Sequence, residues 1–148
     1  MSREVVVQGG ATGFLQRIDI GPHSFVADEP ASAGGNDAGP NPYELLLAAL
    51  GACTSMTLRM YAHRKGWPLE SVRVVLTHSR NYAQDCAECE KKTTTLDRIE
   101  RTISLGGDLS REQRDRLLQI ADRCPVHSTL LSTIQISTRL ADEPVATR

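Results

Sequence analysis

The 148-residue sequence predicts a single α+β domain, and three patterns carry that prediction. Short β-branched runs separated by glycine-containing turns open the chain. A long apolar stretch with helical punctuation occupies its middle. Two alternating segments and a second, amphipathic helical pattern follow. The expected order is βββ-α-ββ-α-β over residues 1–148, with about 1–3 and 141–148 as frayed ends.

Each element has its own local reason. Glu4 to Gln8 is β-branched, and Phe14 to Ile20 places Ile18 and Ile20 opposite Arg17 and Asp19. His23 to Ala27 follows the turn at Gly21-Pro22, so the three read as an antiparallel meander. Asp28 to Pro40 is rich in Gly, Pro and small residues and predicts a loop. Asn41 suits a helix N-cap, Pro42 the first helical position, and Glu44 the reciprocal carboxylate of a capping box. Gly66 before Trp67-Pro68 closes that helix, giving Pro42 to Lys65, a length of roughly 36 Å at about 1.5 Å per residue. Its first half, Leu45 to Ala52, is apolar on every face. A helix of that kind must be covered all round, which in a chain this small calls for a second copy. Val72 to Ser79 and Ile99 to Leu105 predict strands, with Arg101 inside the second alternation, and Gly106-Gly107 predicts a turn. Ser110 and Gln113 form a second capping box before the face Leu117, Ile120, Ala121 and Cys124. Pro125 either ends that helix or begins another, and Ile134, Ile136, Thr138 and Leu140 alternate as a last strand.

Composition excludes several classes. Seventeen Lys and Arg against 18 Asp and Glu give a net charge of −1, which does not favour a nucleic-acid backbone as partner. No uninterrupted apolar run approaches the roughly eighteen residues of a bilayer span, and the first residues lack a signal-peptide pattern. The expected location is therefore the cytoplasm, without membrane contact. In that compartment the four cysteines, Cys53, Cys86, Cys89 and Cys124, are better suited to thiol chemistry or metal binding than to a disulfide framework.

Cys53 lies on helical spacing with Leu46, Ala49, Leu50, Met56 and Met60, and Cys124 with Leu117 and Ile120. Taken singly, each reads as a small buried apolar residue. Taken together, they are two thiols on the apolar faces of two helices, each at a break. A helix starting at Pro125 would offer free N–H groups to a Cys124 thiolate. Attack on a peroxide needs a thiolate in an apolar pocket with a hydrogen-bonding or positive group for the leaving oxygen. A second thiol nearby then traps the sulfenic acid.

Gly39-Pro40-Asn41-Pro42-Tyr43-Glu44 and the run on to Gly51-Ala52-Cys53 resemble the central-helix motif of the OsmC/Ohr family, the osmotically inducible and organic hydroperoxide resistance proteins. Asp122-Arg123-Cys124-Pro125-Val126-His127 resembles that family's second cysteine motif. The resemblance covers nearly the whole chain and looks like a less characterised branch. It implies an interwoven homodimer with active sites at the subunit interface. It implies reduction of organic hydroperoxides or hydrogen peroxide with no metal or flavin cofactor, regenerated by an external thiol or dithiol. It carries the nucleophile onto Cys53 and the resolving thiol onto Cys124. The family's carboxylate follows Asn-Pro directly, whereas here Tyr43 stands there and Glu44 comes one later. Nine residues at about 100° each turn Glu44 away from Cys53, so Glu44 reads as catalytic or as the helix cap alone. The family's arginine follows a Thr-Gly-Gly turn, whereas here Thr12-Gly13 runs on into Phe14-Leu15-Gln16 and the nearest arginine is Arg17, which reads either as a group that holds the thiolate and polarises the peroxide or as a solvated strand residue.

Cys86-Ala87-Glu88-Cys89 lies in a polar stretch among Asp85, Glu88 and Glu90, whose charge disfavours a thiolate. The pair is half a zinc site, with His78 a further donor near in sequence, and otherwise an auxiliary disulfide or a pair without fixed role. His23, His63, His78 and His127 show no metal-ligand spacing, and only His127 stands beside a candidate thiol. Three readings remain: a two-cysteine peroxidase; a non-catalytic dimer that binds a small apolar ligand or senses redox state; and a zinc-dependent partner module.

Overall fold

A computed structural model describes residues 2–82 and 95–142. Three strands, β1 (Val5–Gly9), β2 (Gln16–Ile20) and β3 (His23–Ala27), form an antiparallel sheet in sequence order. Val7 pairs with Ile18 and Ile18 with Phe25, so the meander read from the turns is present. A long hairpin, β4 (Ser71–Tyr82) and β5 (Thr95–Gly106), makes a second antiparallel sheet in register from Ser71 opposite Gly106 to Tyr82 opposite Thr95. Three helices, α1 (Pro42–Lys65), α2 (Arg111–Ala121) and α3 (Pro125–Leu131), complete the chain.

Local chemistry sets the helix ends. Asn41 accepts from the Glu44 amide at 2.9 Å, and the Glu44 carboxylate accepts from the Asn41 amide at 2.8 Å. Ser110 and Gln113 repeat the arrangement for α2. Each box satisfies two amides that the first turn leaves without helical partners. Gly66 ends α1 in the left-handed conformation at φ 67°, which a side chain would resist. At Gly107, φ is 123° and a Cβ would meet the Pro68 carbonyl oxygen at 2.1 Å, so the β5–α2 corner requires glycine. Arg114 holds the same corner by donating to the carbonyls of Leu105, Gly107 and Leu109.

The core lies between α1, the β4–β5 hairpin and α2. Leu58, Ala62, Leu69, Leu109, Leu117, Ile120 and Ala121 form one buried cluster, flanked by Tyr61, Trp67, Val72, Ile103 and Leu105. The buried face of α1 is Leu50, Gly51, Thr54, Leu58 and Ala62. Its apolar first half is therefore covered on one side only, and Met56 and Met60, on helical spacing with Cys53, are 65% and 62% exposed. By length and a mean hydropathy of 1.3 over its most apolar stretch, α1 would also suffice to cross a membrane. Thr, Ser and Gly residues interrupt that stretch, which is why no continuous apolar run is visible in the sequence.

One predicted element is missing. Residues 133–141 are neither strand nor helix, and Ile134, Ile136 and Leu140 are exposed. The order is thus βββ-α-ββ-α-α with an irregular tail. Alternation marks a strand only where a neighbouring strand supplies hydrogen bonds, and none of the described strands pairs with this segment. Pro125 starts a helix of its own, the second of the two readings of that proline.

Candidate active site

Cys53 sits in α1, between the buried Leu50 and Thr54, and is partly exposed. Cys124 is the N-cap residue of α3 and is fully buried. Both are free thiols in hydrogen-bonding contact with each other. The packing of α1 against α2 and α3 therefore joins two sulfurs that lie 71 positions apart (124 − 53) in the sequence.

Their surroundings differ in a chemically useful way. Burial pushes the Cys53 thiol up, and the Cys124 sulfur raises it further by hydrogen bond and charge; the Val126 amide and Thr57 hydroxyl oppose them. Burial also pushes Cys124 up, but hydrogen bonds from Cys53, the amides of His127 and Val126, and the Thr54 hydroxyl outweigh it. Cys124 is held below the ordinary thiol value. Of the two sulfurs Cys124 is therefore the one that ionises first, with Cys53 as its hydrogen-bond donor. The Cys53 proton can cross that single hydrogen bond, so the charge belongs to the pair. Proline at the first position of α3 leaves its next amides free to point at the sulfurs.

Beyond the sulfurs lies a polar cluster that the sequence reading missed. Arg101 of β5 donates to Thr54 Oγ1 at 2.9 Å, to Asp122 Oδ1 at 2.9 Å and to His127 Nδ1 at 3.3 Å. Its signal was a cation at an inward position of the alternation Ile99, Arg101, Ile103. A second cluster stacks Tyr43 on His78 with ring centroids 4.5 Å apart. His78 Nε2 meets Asp97 Oδ1 at 2.8 Å, and Arg80 donates to Asp97 and to the Tyr43 hydroxyl. Both clusters line a cleft of about 570 Å³ whose walls are Leu46, Leu50, Ile99, Ile103, Leu118 and Leu131. Neither cysteine lines that cleft. A smaller hollow of about 320 Å³ is lined by Thr57, whose hydroxyl contacts Cys53, and by Pro125, the neighbour of Cys124. Met60, Tyr61, Arg64, Ile120 and Arg123 complete it, so this hollow rather than the larger cleft borders the chemistry.

The remaining candidates have partners elsewhere. Glu44 caps α1. Arg17 is paired with Asp19 on its own strand at 2.9 Å, with 63% of its side chain exposed. Within the chain neither is among the groups hydrogen-bonded to the two sulfurs. Cys86 and Cys89 lie outside the described residues. Among the described residues, no three His, Cys, Asp or Glu side chains converge as a metal site.

A family model described as OsmC-like protein matches residues 34–139. The chain belongs to that family. Solved structures agree with the OsmC-like fold. An OsmC-like protein from Mycoplasma pneumoniae superposes with a TM-score of 0.70 at 17% identity, covering 88% of this chain and 87% of that one. An organic hydroperoxide resistance protein from Legionella pneumophila gives 0.64 at 20% identity over 88% and 90%. The organic hydroperoxide resistance protein OhrB of Bacillus subtilis gives 0.62 at 20% identity over 88% and 91%. No curated protein matches the chain.

Proposed function

We propose that this OsmC-like protein is a two-cysteine thiol peroxidase that reduces organic hydroperoxides or hydrogen peroxide. The observation that carries the reading is the contact between the partly exposed Cys53 and the buried Cys124 at the N-terminus of α3. The Cys124 thiolate takes the Cys53 proton, and the Cys53 thiolate attacks the outer oxygen of the hydroperoxide. The O–O bond breaks, leaving Cys53 sulfenic acid and an alkoxide, which takes the proton from Cys124. The Cys124 thiolate then attacks the sulfenic sulfur and expels hydroxide, closing the disulfide. An external thiol or dithiol returns both sulfurs to the reduced state. The hollow beside Thr57 and Pro125 is the route to Cys53, because those two residues adjoin the sulfurs. The working unit is a homodimer, a reading supported by the half-covered face of α1.

Peroxide consumption by wild type, Cys53→Ser and Cys124→Ser, with mass spectrometry of the oxidised peptides, tests the scheme. Cys53→Ser should lose at least about a hundredfold in kcat/KM, some 2.7 kcal/mol of barrier. Cys124→Ser should complete one turnover and accumulate a Cys53 sulfenic acid. Wild type that consumes no peroxide and forms no Cys53–Cys124 disulfide would overturn it.

The larger cleft favours a second reading, a non-catalytic dimer holding a small apolar ligand. Native mass spectrometry showing a retained apolar molecule, together with inert thiols, would select it.

A further inference from the structure

Arg101 reaches into the fold from an inward position of β5 with only 12% of its side chain exposed. A cation so placed is costly unless its donors are used. Three of the Arg101 donors have acceptors, and those three partners stand on three different elements. Thr54 is in α1, Asp122 is the C-cap of α2, and His127 is in the first turn of α3. They also bracket the two sulfurs. Thr54 follows Cys53 directly, while Asp122 and His127 flank Cys124 on either side.

We propose that Arg101 is the positioning residue of the thiol pair, pinning the Asp122–His127 turn onto α1 and turning the Thr54 hydroxyl into a donor for Cys124. Thr54 has one proton and two acceptors within reach, the Leu50 carbonyl at 2.7 Å and the Cys124 sulfur. Arg101 donates to the Thr54 oxygen, so that oxygen is polarised and its proton must point away from the guanidinium. While Cys124 is a thiol the proton serves Leu50; once Cys124 is a thiolate it serves the sulfur. Two of the fork's donors come from the same nitrogen, Nη2, and fix Asp122 and His127 together. Because a guanidinium only donates, His127 Nδ1 is the acceptor and the ring proton sits on Nε2. A lysine would keep the charge and lose this geometry.

The inference rests on the two-cysteine reading for its meaning in turnover, but its first readout does not. Peptide-resolved alkylation of Cys53 and Cys124 against pH reports the thiolate in the reduced protein, whether or not peroxide is a substrate. Arg101→Met and Thr54→Val should each move the alkylation midpoint of the pair to higher pH, and Thr54→Ser should leave it in place. The double variant Arg101→Met/Thr54→Val should shift no further than Arg101→Met alone, because the Thr54 contribution is already lost with the arginine. After one equivalent of cumene hydroperoxide, closure of the Cys53–Cys124 disulfide should slow at least tenfold in Arg101→Met and stay slow in Arg101→Lys. Alkylation profiles of Arg101→Met that coincide with wild type, or shifts that simply add, overturn the proposal. Should Arg101→Met fail to fold, Thr54→Val decides alone, and an unmoved midpoint overturns it. A wild type inert to peroxide would sink the peroxidase reading and leave the alkylation result to judge Arg101.

Discussion

Individual side chains divide here into those that serve the helix ends and those that serve sulfur. Glu44 stands where a catalytic carboxylate is a natural expectation, yet its carboxylate is committed to the Asn41 amide. Glu44→Gln keeps an oxygen acceptor for that amide, so kcat/KM for peroxide should stay within about twofold of wild type, or 0.4 kcal/mol. A loss of a hundredfold would restore the catalytic reading. Asp28 is a second committed carboxylate. The Ala38 amide holds it below the usual carboxylate range, burial opposes, and the amides of Glu29 and Asn36 reinforce it. A lowered carboxyl stabilises the fold fully above the unfolded value of about 3.9, and that contribution disappears as pH falls through the folded value. Asp28→Asn would turn an amide donor or a weaker acceptor towards three N–H groups. Its melting temperature should fall by several degrees at neutral pH, with the gap from wild type closing once both proteins are below the folded value. A gap independent of pH would mean that the charge is not the cause. The capping roles of Asn41, Glu44, Ser110 and Gln113 were legible because a cap acts over three residues. The meeting of Cys53 with Cys124 was legible only as two helical phases, since contact depends on how separate helices pack. Arg101 was hidden for the same reason, although its inward register was visible.

Among the elements, α1 carries most of the architecture. Its buried face meets β4, α2 and α3, and Leu58 and Thr54 on it are wholly enclosed. Leu58→Ala should cost about 2–5 kcal/mol of unfolding free energy, the usual range for a leucine removed from a packed core. Chemical denaturation would show it as a lower midpoint, and a loss under 1 kcal/mol would mean that the neighbours collapse to fill the space. The limits of α1 and β3 coincide with those read from the sequence, because cap residues and glycines write them locally. The strand expected at 134–140 does not, because a strand is completed by something outside itself. Apolar alternation records a demand for burial without saying what meets it.

For the molecule as a whole, surface is the telling quantity. Val5, Val7, Phe14, Leu15, Met56, Met60 and Ile136 are among the exposed apolar side chains. Such exposure is costly in water and is relieved by association. Sedimentation at micromolar concentration should therefore give a mass of about twice 16.2 kDa, with a melting temperature that rises with protein concentration. A concentration-independent monomer would refute the homodimer. The Asp28 carboxylate bears on the molecule at this scale too. It gathers the amides of Glu29, Asn36 and Ala38, while the Asp28 amide donates to Pro40, so residues 30–35 form a bulge drawn shut at its neck. Chain spliced in at Ser32 or Ala33 should simply enlarge that bulge, leaving the three-stranded sheet and the cap of α1 in place. A single residue removed between Ala38 and Asn41 should instead drag the cap out of register. Length is thus free on one side of a carboxylate and fixed on the other, and this is where relatives of the protein can be expected to differ in size.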